Sequence, residues 1–380
     1  MNILVLGAGL MAQGAVYDYL QNPDVSSITV ADNSADALSR MRTRFPDSRL
    51  RIATFDAHDE DDVRALMKDA DGVLCAVHYG FNLAFTRAAI ATRTHLVDLG
   101  GNNDVVASQL ALNAEAERAG VIVTPDCGLA PGMVAVLVKW GVERFPWVDT
   151  VRIRVGGLPR DPKPPFAYER LFSVEGLINE YVEPPIRLEN GKIVTAEPLG
   201  DLETVEFAQP AGTLEAFNTS GGVSTLPDTF GKRLRNLDYK TLRYPGHAHA
   251  MQWLYHLGLF SSEPIAVGNV TVVPRQLTAR AILDKVPEGK RDMTVVRIEF
   301  AGAEDGQERL HRLDIIDTYN DEQQLTSMMR MTAFPAAIVS QMQCDGRITA
   351  RGVVPQERCV DADAFVRELV KRKISVSGLD

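Results

Sequence analysis

The chain begins with a short apolar run, Asn2 to Leu6, that breaks at Gly7-Ala8-Gly9-Leu10-Met11-Ala12-Gln13-Gly14. No other feature narrows the fold so far. In a strand-to-helix turn of this GxGxxA form, Gly7 makes the tight turn and Gly9 lets a ligand's pyrophosphate approach the backbone. Ala12 permits close helix packing. The first N–H groups of the following helix, near Leu10 and Met11, then face the phosphates. A second apolar run, Ile28 to Ala31, ends at Asp32, 20 residues beyond Ala12. An acid there binds the ribose hydroxyls and repels a 2′-phosphate, so the turn, the helix and the acid together predict a dinucleotide site that prefers NAD.

Strand-like and helix-like segments keep alternating to about residue 124. The further strands are Arg51 to Phe55, Gly72 to Val77, His95 to Val97 and Val121 to Thr124. This alternation predicts an α/β fold with a Rossmann-type, doubly wound parallel sheet. Ligands of such sheets lie beyond the carboxyl ends of the strands. The residues to inspect there are Asp32 and Asn33, Asp56 at the adenine edge, Ala76, Val77, His78 and Asn82, then Asp98 and Asp126. Asp98, Asp126 and His78 are the catalytic candidates on this side. Asn82 and Asn102 read equally well as helix caps, and Cys127 as a small packed residue.

From residue 131 the texture changes, and several strands with fewer helices predict a second, α+β domain with a largely antiparallel sheet. Gly156-Gly157-Leu158-Pro159 reads as a loop. Polar residues gather in Ser173 to Tyr181, in Glu215 to Gly222 and in Lys240 to His247. Arg243 offers a planar fork for a carboxylate and Glu180 a charge for an amine, with Tyr181 and His247 beside them. The apolar segment Leu325 to Gln343 predicts a helix that Pro335 kinks or interrupts. Ala364 to Lys371 predicts a last helix capped by Asp363. The expected organisation is 1–130 as dinucleotide domain, 131–324 as substrate domain, and 325–380 as helices that return to the first.

Charge and cysteine usage narrow the setting. Lys and Arg total 40 against 50 Asp and Glu, a net charge of −10 in 380 residues, which makes a polyanion such as nucleic acid a poor partner. No apolar run reaches the roughly 18 residues of a membrane span. The four cysteines show neither CxxC spacing nor the density of a disulfide scaffold, so a cytoplasmic protein with free thiols and no metal is expected. An exposed sheet edge in the second domain would suit a homodimer or a higher homo-oligomer.

GAGLMAQG, AVHYGFN, VDLGGNN, PDCGLAPGM, FSVEGLINEYVEP, EAFNTSGGVSTLP, KTLRYPGH and FPAAIV are spread over nearly the whole chain. Together they resemble the saccharopine dehydrogenase-like oxidoreductases and, within them, the lysine 6-dehydrogenases. The sequence departs from that pattern at His78 and at Met331-Thr332-Ala333. The resemblance implies hydride transfer between NAD(P) and a carbon bearing an amine, most simply the ε-carbon of L-lysine. The semialdehyde formed there would cyclise, with release of ammonia and NADH. A free lysine amine has a pKa near 10.4, so the site must remove a proton. A related enzyme acting on a secondary amine, as in saccharopine, would need a second carboxylate clamp, for which Arg170, Arg187 and Arg235 are available. A protein that senses NAD without chemistry leaves the polar blocks unexplained.

Overall fold

The computed structural model describes residues 1–379. Its contacts divide the chain into two compact units, 1–144 with 329–374 and 145–328 with the last residues. These limits differ from those expected. The helix Met133–Arg144 is buried along most of its length and packs on the helices Gln356–Cys359 and Ala362–Lys371, so it belongs to the first unit. The C-terminal segment joins the second unit through paired backbone bonds between Ser377 and Asp314.

In the first unit β1 (Asn2–Leu6), β2 (Ser27–Asp32), β3 (Leu50–Thr54), β4 (Gly72–Cys75), β5 (His95–Asp98) and β6 (Ile122–Thr124) form a parallel sheet in the order 6-5-4-1-2-3. A seventh strand, Gly352–Val353, pairs with β6 at the edge. Ile3, Leu4, Val5 and Leu6 are each at most 2% exposed, so β1 is covered on both faces, which is why it reads as a continuous apolar run and not an alternation. The order reverses between β1 and β4, the switch point at which such sheets bind ligands.

The helix Leu10–Gln21 buries Ala12, Ala15, Val16 and Tyr19, and Gly14 lets it approach a second helix, Ser327–Cys344. A Cβ on Gly14 would lie 2.9 Å from the Met329 carbonyl oxygen. That second helix runs unbroken through Pro335, contrary to expectation. Proline removes one backbone bond, but Pro335 is buried and its neighbours from Ala333 to Val339 are each at most 1% exposed, and this packing holds the helix. The last helix, Ala362–Lys371, is capped by Asp361 and not by Asp363. Asp361 accepts from the Ala364 N–H at 2.7 Å, while Asp363 pairs with Arg144 at 3.2 Å. Among the described residues no helix is long and apolar enough to cross a membrane.

The second unit is built on β7 (Val148–Pro159), β8 (Ile186–Glu189), β9 (Lys192–Thr195), β10 (Glu203–Glu206), β11 (Thr213–Asn218), β12 (Asn236–Arg243), β13 (Ile265–Val267), β14 (Val270–Val272), β15 (Asp292–Glu304) and β16 (Gln307–Thr318). The central sheet runs 10-11-12-7-15-16 and is antiparallel except between β7 and β12. The pair β8–β9 attaches to β12, and β13–β14 stands as a separate hairpin. One expected loop is strand. Gly156 to Pro159 continue β7, because residues without bulk fit there against the Leu242 backbone and Met328. Glu215 to Asn218 lie in β11, where five of six residues are buried.

Candidate functional site

In the first unit the glycine turn has the predicted construction. Gly7 has φ of 103°, donates its N–H to the Ala31 carbonyl at 2.7 Å, and a Cβ there would sit 2.8 Å from the Ala76 carbonyl oxygen. Ala76 and Val77 thus form the wall behind the turn. A Cβ on Gly9 would meet nothing within 4 Å, so the space in front of it is open. The helix beginning at Leu10 has no side-chain cap, and its first N–H groups, with Leu10 and Met11 half-buried around them, are left for an anion. Asp32 Oδ2 accepts from the Ala8 N–H at 2.7 Å and Oδ1 from the Ser34 N–H at 2.8 Å, so the acid also ties the turn to the end of β2. Asn33 and Asp56 are exposed at neighbouring strand ends. Open space before Gly9 and uncapped amides fit a dinucleotide pyrophosphate.

Farther along the strand ends the candidates separate. His78 is exposed, and its Nδ1 accepts from the Gly80 N–H at 3.1 Å. Asn82 is 2% exposed and points inward, where its Oδ1 accepts from the Cys75 thiol at 3.3 Å. Asn102 caps the helix Asn103–Leu110 by accepting from the Val105 N–H. Asp98 is fully buried and accepts from the Gly100 N–H (2.8 Å), the Asp126 N–H (3.0 Å) and Gln109 Nε2 (2.8 Å). Burial pushes its carboxyl above the usual range, while these three bonds pull the other way. Asp126 is 5% exposed, with φ of 62°, and its side chain fills the place that a Cβ on Gly100 would take. Asp98 and Asp126 therefore belong to one network that joins two loops. The Cys127 thiol donates to the Thr124 carbonyl, and burial raises it well above its usual value, so it is packed and unreactive.

The second unit brings the substrate-side candidates together. The helix Val174–Val182 is capped by Ser173 and buries Val174, Leu177, Ile178 and Tyr181, the spacing of one helix face. Glu180 lies beside that face. Arg243 ends β12, and a turn at Gly246 (φ 98°) leads into the helix His247–His256. Arg243 is 3% exposed. Its Nη1 donates to the Leu242 carbonyl at 2.9 Å, its Nη2 lies 3.9 Å from Glu180 Oε2, and its plane stands 5.1 Å from the Tyr168 ring. Arg243 Nε is buried without a hydrogen-bond partner.

An unpartnered buried guanidinium N–H is costly, and a carboxylate is the group that satisfies it best. Glu180 keeps 34% of its side chain exposed, yet its surroundings push the carboxyl up to about 7 against the pull of Arg243. His247 is driven the other way, down to about 3, first by burial and then by Arg243. Two residues not singled out from sequence complete the cluster. Glu215 accepts from the Gly246 and Ala248 N–H groups at 2.9 and 2.5 Å, and Tyr168 carries the guanidinium. Among the described residues no group of His, Cys, Asp or Glu is arranged to hold a metal.

A glycine-turned doubly wound sheet, followed by a mixed sheet, defines the class of NAD(P)-dependent oxidoreductases with a Rossmann domain. Residues 3–124 match the model of the saccharopine dehydrogenase NADP binding domain, and residues 128–374 that of the saccharopine dehydrogenase C-terminal domain. The chain belongs to the saccharopine dehydrogenase family. It is 24% identical over 272 residues to the mitochondrial alpha-aminoadipic semialdehyde synthase of Bos taurus, an alignment of 69% of this chain and only 28% of that protein. It is 20% identical to the NADP(+), L-glutamate-forming saccharopine dehydrogenase of Schizosaccharomyces pombe, over 93% of each chain. Apo saccharopine dehydrogenase (L-Glu forming) from Saccharomyces cerevisiae has the same fold, with a TM-score of 0.78 at 21% identity over 99% of this chain and 98% of that one. A homospermidine synthase from Legionella pneumophila, solved with NAD, follows at a TM-score of 0.70 and 11% identity over 99% and 90%.

Proposed function

We propose that this protein oxidises the amine-bearing carbon of a small amino acid, with L-lysine at its ε-carbon as the substrate and NAD as the cofactor. The observation that carries this reading is the buried Arg243, which has an unpartnered Nε and whose Nη2 lies 3.9 Å from the Glu180 carboxyl, itself pushed up to about 7. A single guanidinium fork suits one α-carboxylate. An ammonium has no lone pair, so its proton must leave before the carbon can lose hydride. Glu180, half ionised near neutrality, suits that acceptor role, whereas His247 at about 3 is too weak a base. The nicotinamide supplies the hydride acceptor. Loss of hydride leaves an imine, which water converts to the semialdehyde and ammonia.

On the dinucleotide side, Gly7, Gly9, Leu10 and Met11 would hold the pyrophosphate and Asp32 with Asn33 the ribose. Asp56 would meet the adenine edge, and Ala76, Val77 and Asn82 would form the remaining wall. Asp98 we assign to holding the loops, since three donors already occupy its oxygens. Asp126 and the exposed His78 remain the proton carriers proposed there. NAD preference rests on Asp32; tighter binding of NADP by the unmodified protein would overturn it. We also propose a homodimer or higher homo-oligomer in the cytoplasm, to be measured by light scattering.

The relatives' names favour a second reading, in which the substrate is a secondary amine of the saccharopine type. Such a substrate needs further carboxylate clamps. In this unit Arg187 is already bound to Glu189 and Asp201, both at 2.5 Å. Arg170 Nε is spent on the Val286 carbonyl, and Arg235 is exposed. A screen of L-lysine, L-saccharopine and polyamines with NAD and NADP, followed by absorbance of the reduced nicotinamide, separates the two. Turnover of L-lysine alone supports the first reading. Turnover of saccharopine alone replaces it with the second.

A further inference from the structure

We propose that Tyr181 and His247 do not touch the substrate but form, with the Phe166 carbonyl, a one-way chain of hydrogen bonds that holds the Arg243 guanidinium in place. This rests on the reading of Arg243 as the carboxylate clamp and names the residues that position it.

The direction of the chain follows from its far end. His247 Nδ1 lies 3.0 Å from the Phe166 carbonyl oxygen, which can only accept, so Nδ1 carries the hydrogen. His247 Nε2 lies 2.9 Å from the Tyr181 hydroxyl. The imidazole is 2% exposed, with Arg243 among its charged neighbours, and both influences keep it neutral. A neutral ring that carries its hydrogen on Nδ1 can only accept at Nε2, so the Tyr181 O–H must donate to it. The phenol oxygen is then left with lone pairs alone to offer the Arg243 guanidinium, whose charge acts on it. A backbone carbonyl thus dictates the polarity at Arg243 two side chains away.

The imidazole has little freedom to turn. Phe217 stacks on it with planes 14° apart, while Tyr168 and Phe166 meet it edge-on at 61° and 73°. Its backbone is pinned as well. Gly246 offers no side chain to cap the helix, and Glu215 on β11 caps it from outside by accepting from Gly246 and Ala248. Tyr168 underneath and the Leu242 carbonyl fix two further directions of the guanidinium. What stays open is Nε and the side toward Glu180.

The test uses the full-length protein, with L-lysine and L-saccharopine as probes. Tyr181→Phe removes only the hydroxyl, and His247→Gln retains an acceptor and a donor, so both keep the test alive if His247→Leu fails to fold. Tyr181→Phe should raise KM for the amine about tenfold, the usual scale for a lost positioning bond to a buried charge, and change kcat less than about threefold. The acid limb near pH 7 assigned to Glu180 should persist. His247→Leu should show the same split, the double variant should be no worse than either single one, and His247→Gln should recover most of the loss.

A defect chiefly in kcat, a displaced acid limb, or multiplying defects in the double variant would overturn the proposal. Nitrogen-15 NMR of labelled histidine needs no turnover. It should find His247 neutral and protonated on Nδ1 from about pH 5 to about pH 9; a titrating ring or an Nε2–H tautomer there overturns the chain of bonds. If that signature holds while Arg243→Ala leaves KM unchanged, the clamp reading has failed and the bond geometry has not.

Discussion

Glu180 and Arg243 sit 3.9 Å apart, close enough to attract and too far to share a proper hydrogen bond. Burial therefore outweighs attraction at Glu180, and its carboxyl rises to about 7. The active form is the carboxylate, so kcat/KM should climb as pH rises through about 7 and be lost as pH falls through it. Glu180→Gln should lower kcat by about 10² to 10⁴, the range of a general base, and abolish that limb of the pH profile. A retained limb would assign it to another group.

Arg243→Ala should raise the amine KM by at least about tenfold with NAD affinity unchanged, while Arg243→Lys, which lacks the planar fork, should recover little. The charged members named from the sequence, Glu180, Arg243 and His247, were legible because they fall in the blocks where polar residues gather. Tyr168 was not, and Glu215, though it opens one of those blocks, was given no role. Tyr168 looks like any aromatic in a loop, and Glu215 lies in a strand whose residues are buried without alternation, so no periodicity marks it.

Among elements, the loops after β5 and β6 hold each other. Asp98 grips the N–H groups of Gly100 and Asp126, and Asp126 occupies the space that Gly100 leaves. Asp98→Asn would turn an amide toward donors. It is expected to cost about 1 to 3 kcal/mol of stability and to weaken NAD binding, read from urea midpoints and a cofactor titration. An Asp98 acting as the base would instead show lost kcat with intact affinity. Gly100→Ala combines φ of 78° with a clash at Asp126 Oδ1, and should be the more damaging change in the same two measurements.

Most of the six parallel strands were readable because they are short, largely buried apolar runs, and β3, with Arg51 and Thr54 exposed, was readable from the strand–helix alternation around it. Three features misled. Pro335 signals a break only where packing is weak, Gly156 to Pro159 signal a loop only at a surface, and Asp363 is one of two acids able to cap the same helix.

At the scale of the molecule, the first unit is assembled from two stretches far apart in sequence. Asp18, 3% exposed, receives both Nε (2.5 Å) and Nη2 (2.9 Å) of Arg372, with Gln341 adding a third bond at 2.9 Å. Arg372→Met would leave that carboxylate buried without its cation. The expected loss is about 3 to 5 kcal/mol, measured by urea unfolding, and a loss below about 1 kcal/mol would mean that water reaches Asp18.

The same discontinuity sets a timetable for synthesis. When residues 1–144 have left the ribosome, β6 still lacks its neighbour Gly352–Val353, and the helix against Gly14 does not yet exist. The 184 residues of 145–328 must be translated first, which at about 5 to 20 residues per second takes about 10 to 40 s. Through that interval the nascent sheet offers a bare strand edge and an uncovered apolar strip, the surfaces that chaperones seize and that neighbouring chains on a polysome can mispair with. The second unit, continuous except for its last few residues, is free to close earlier, so the half of the protein encoded first is the half finished last.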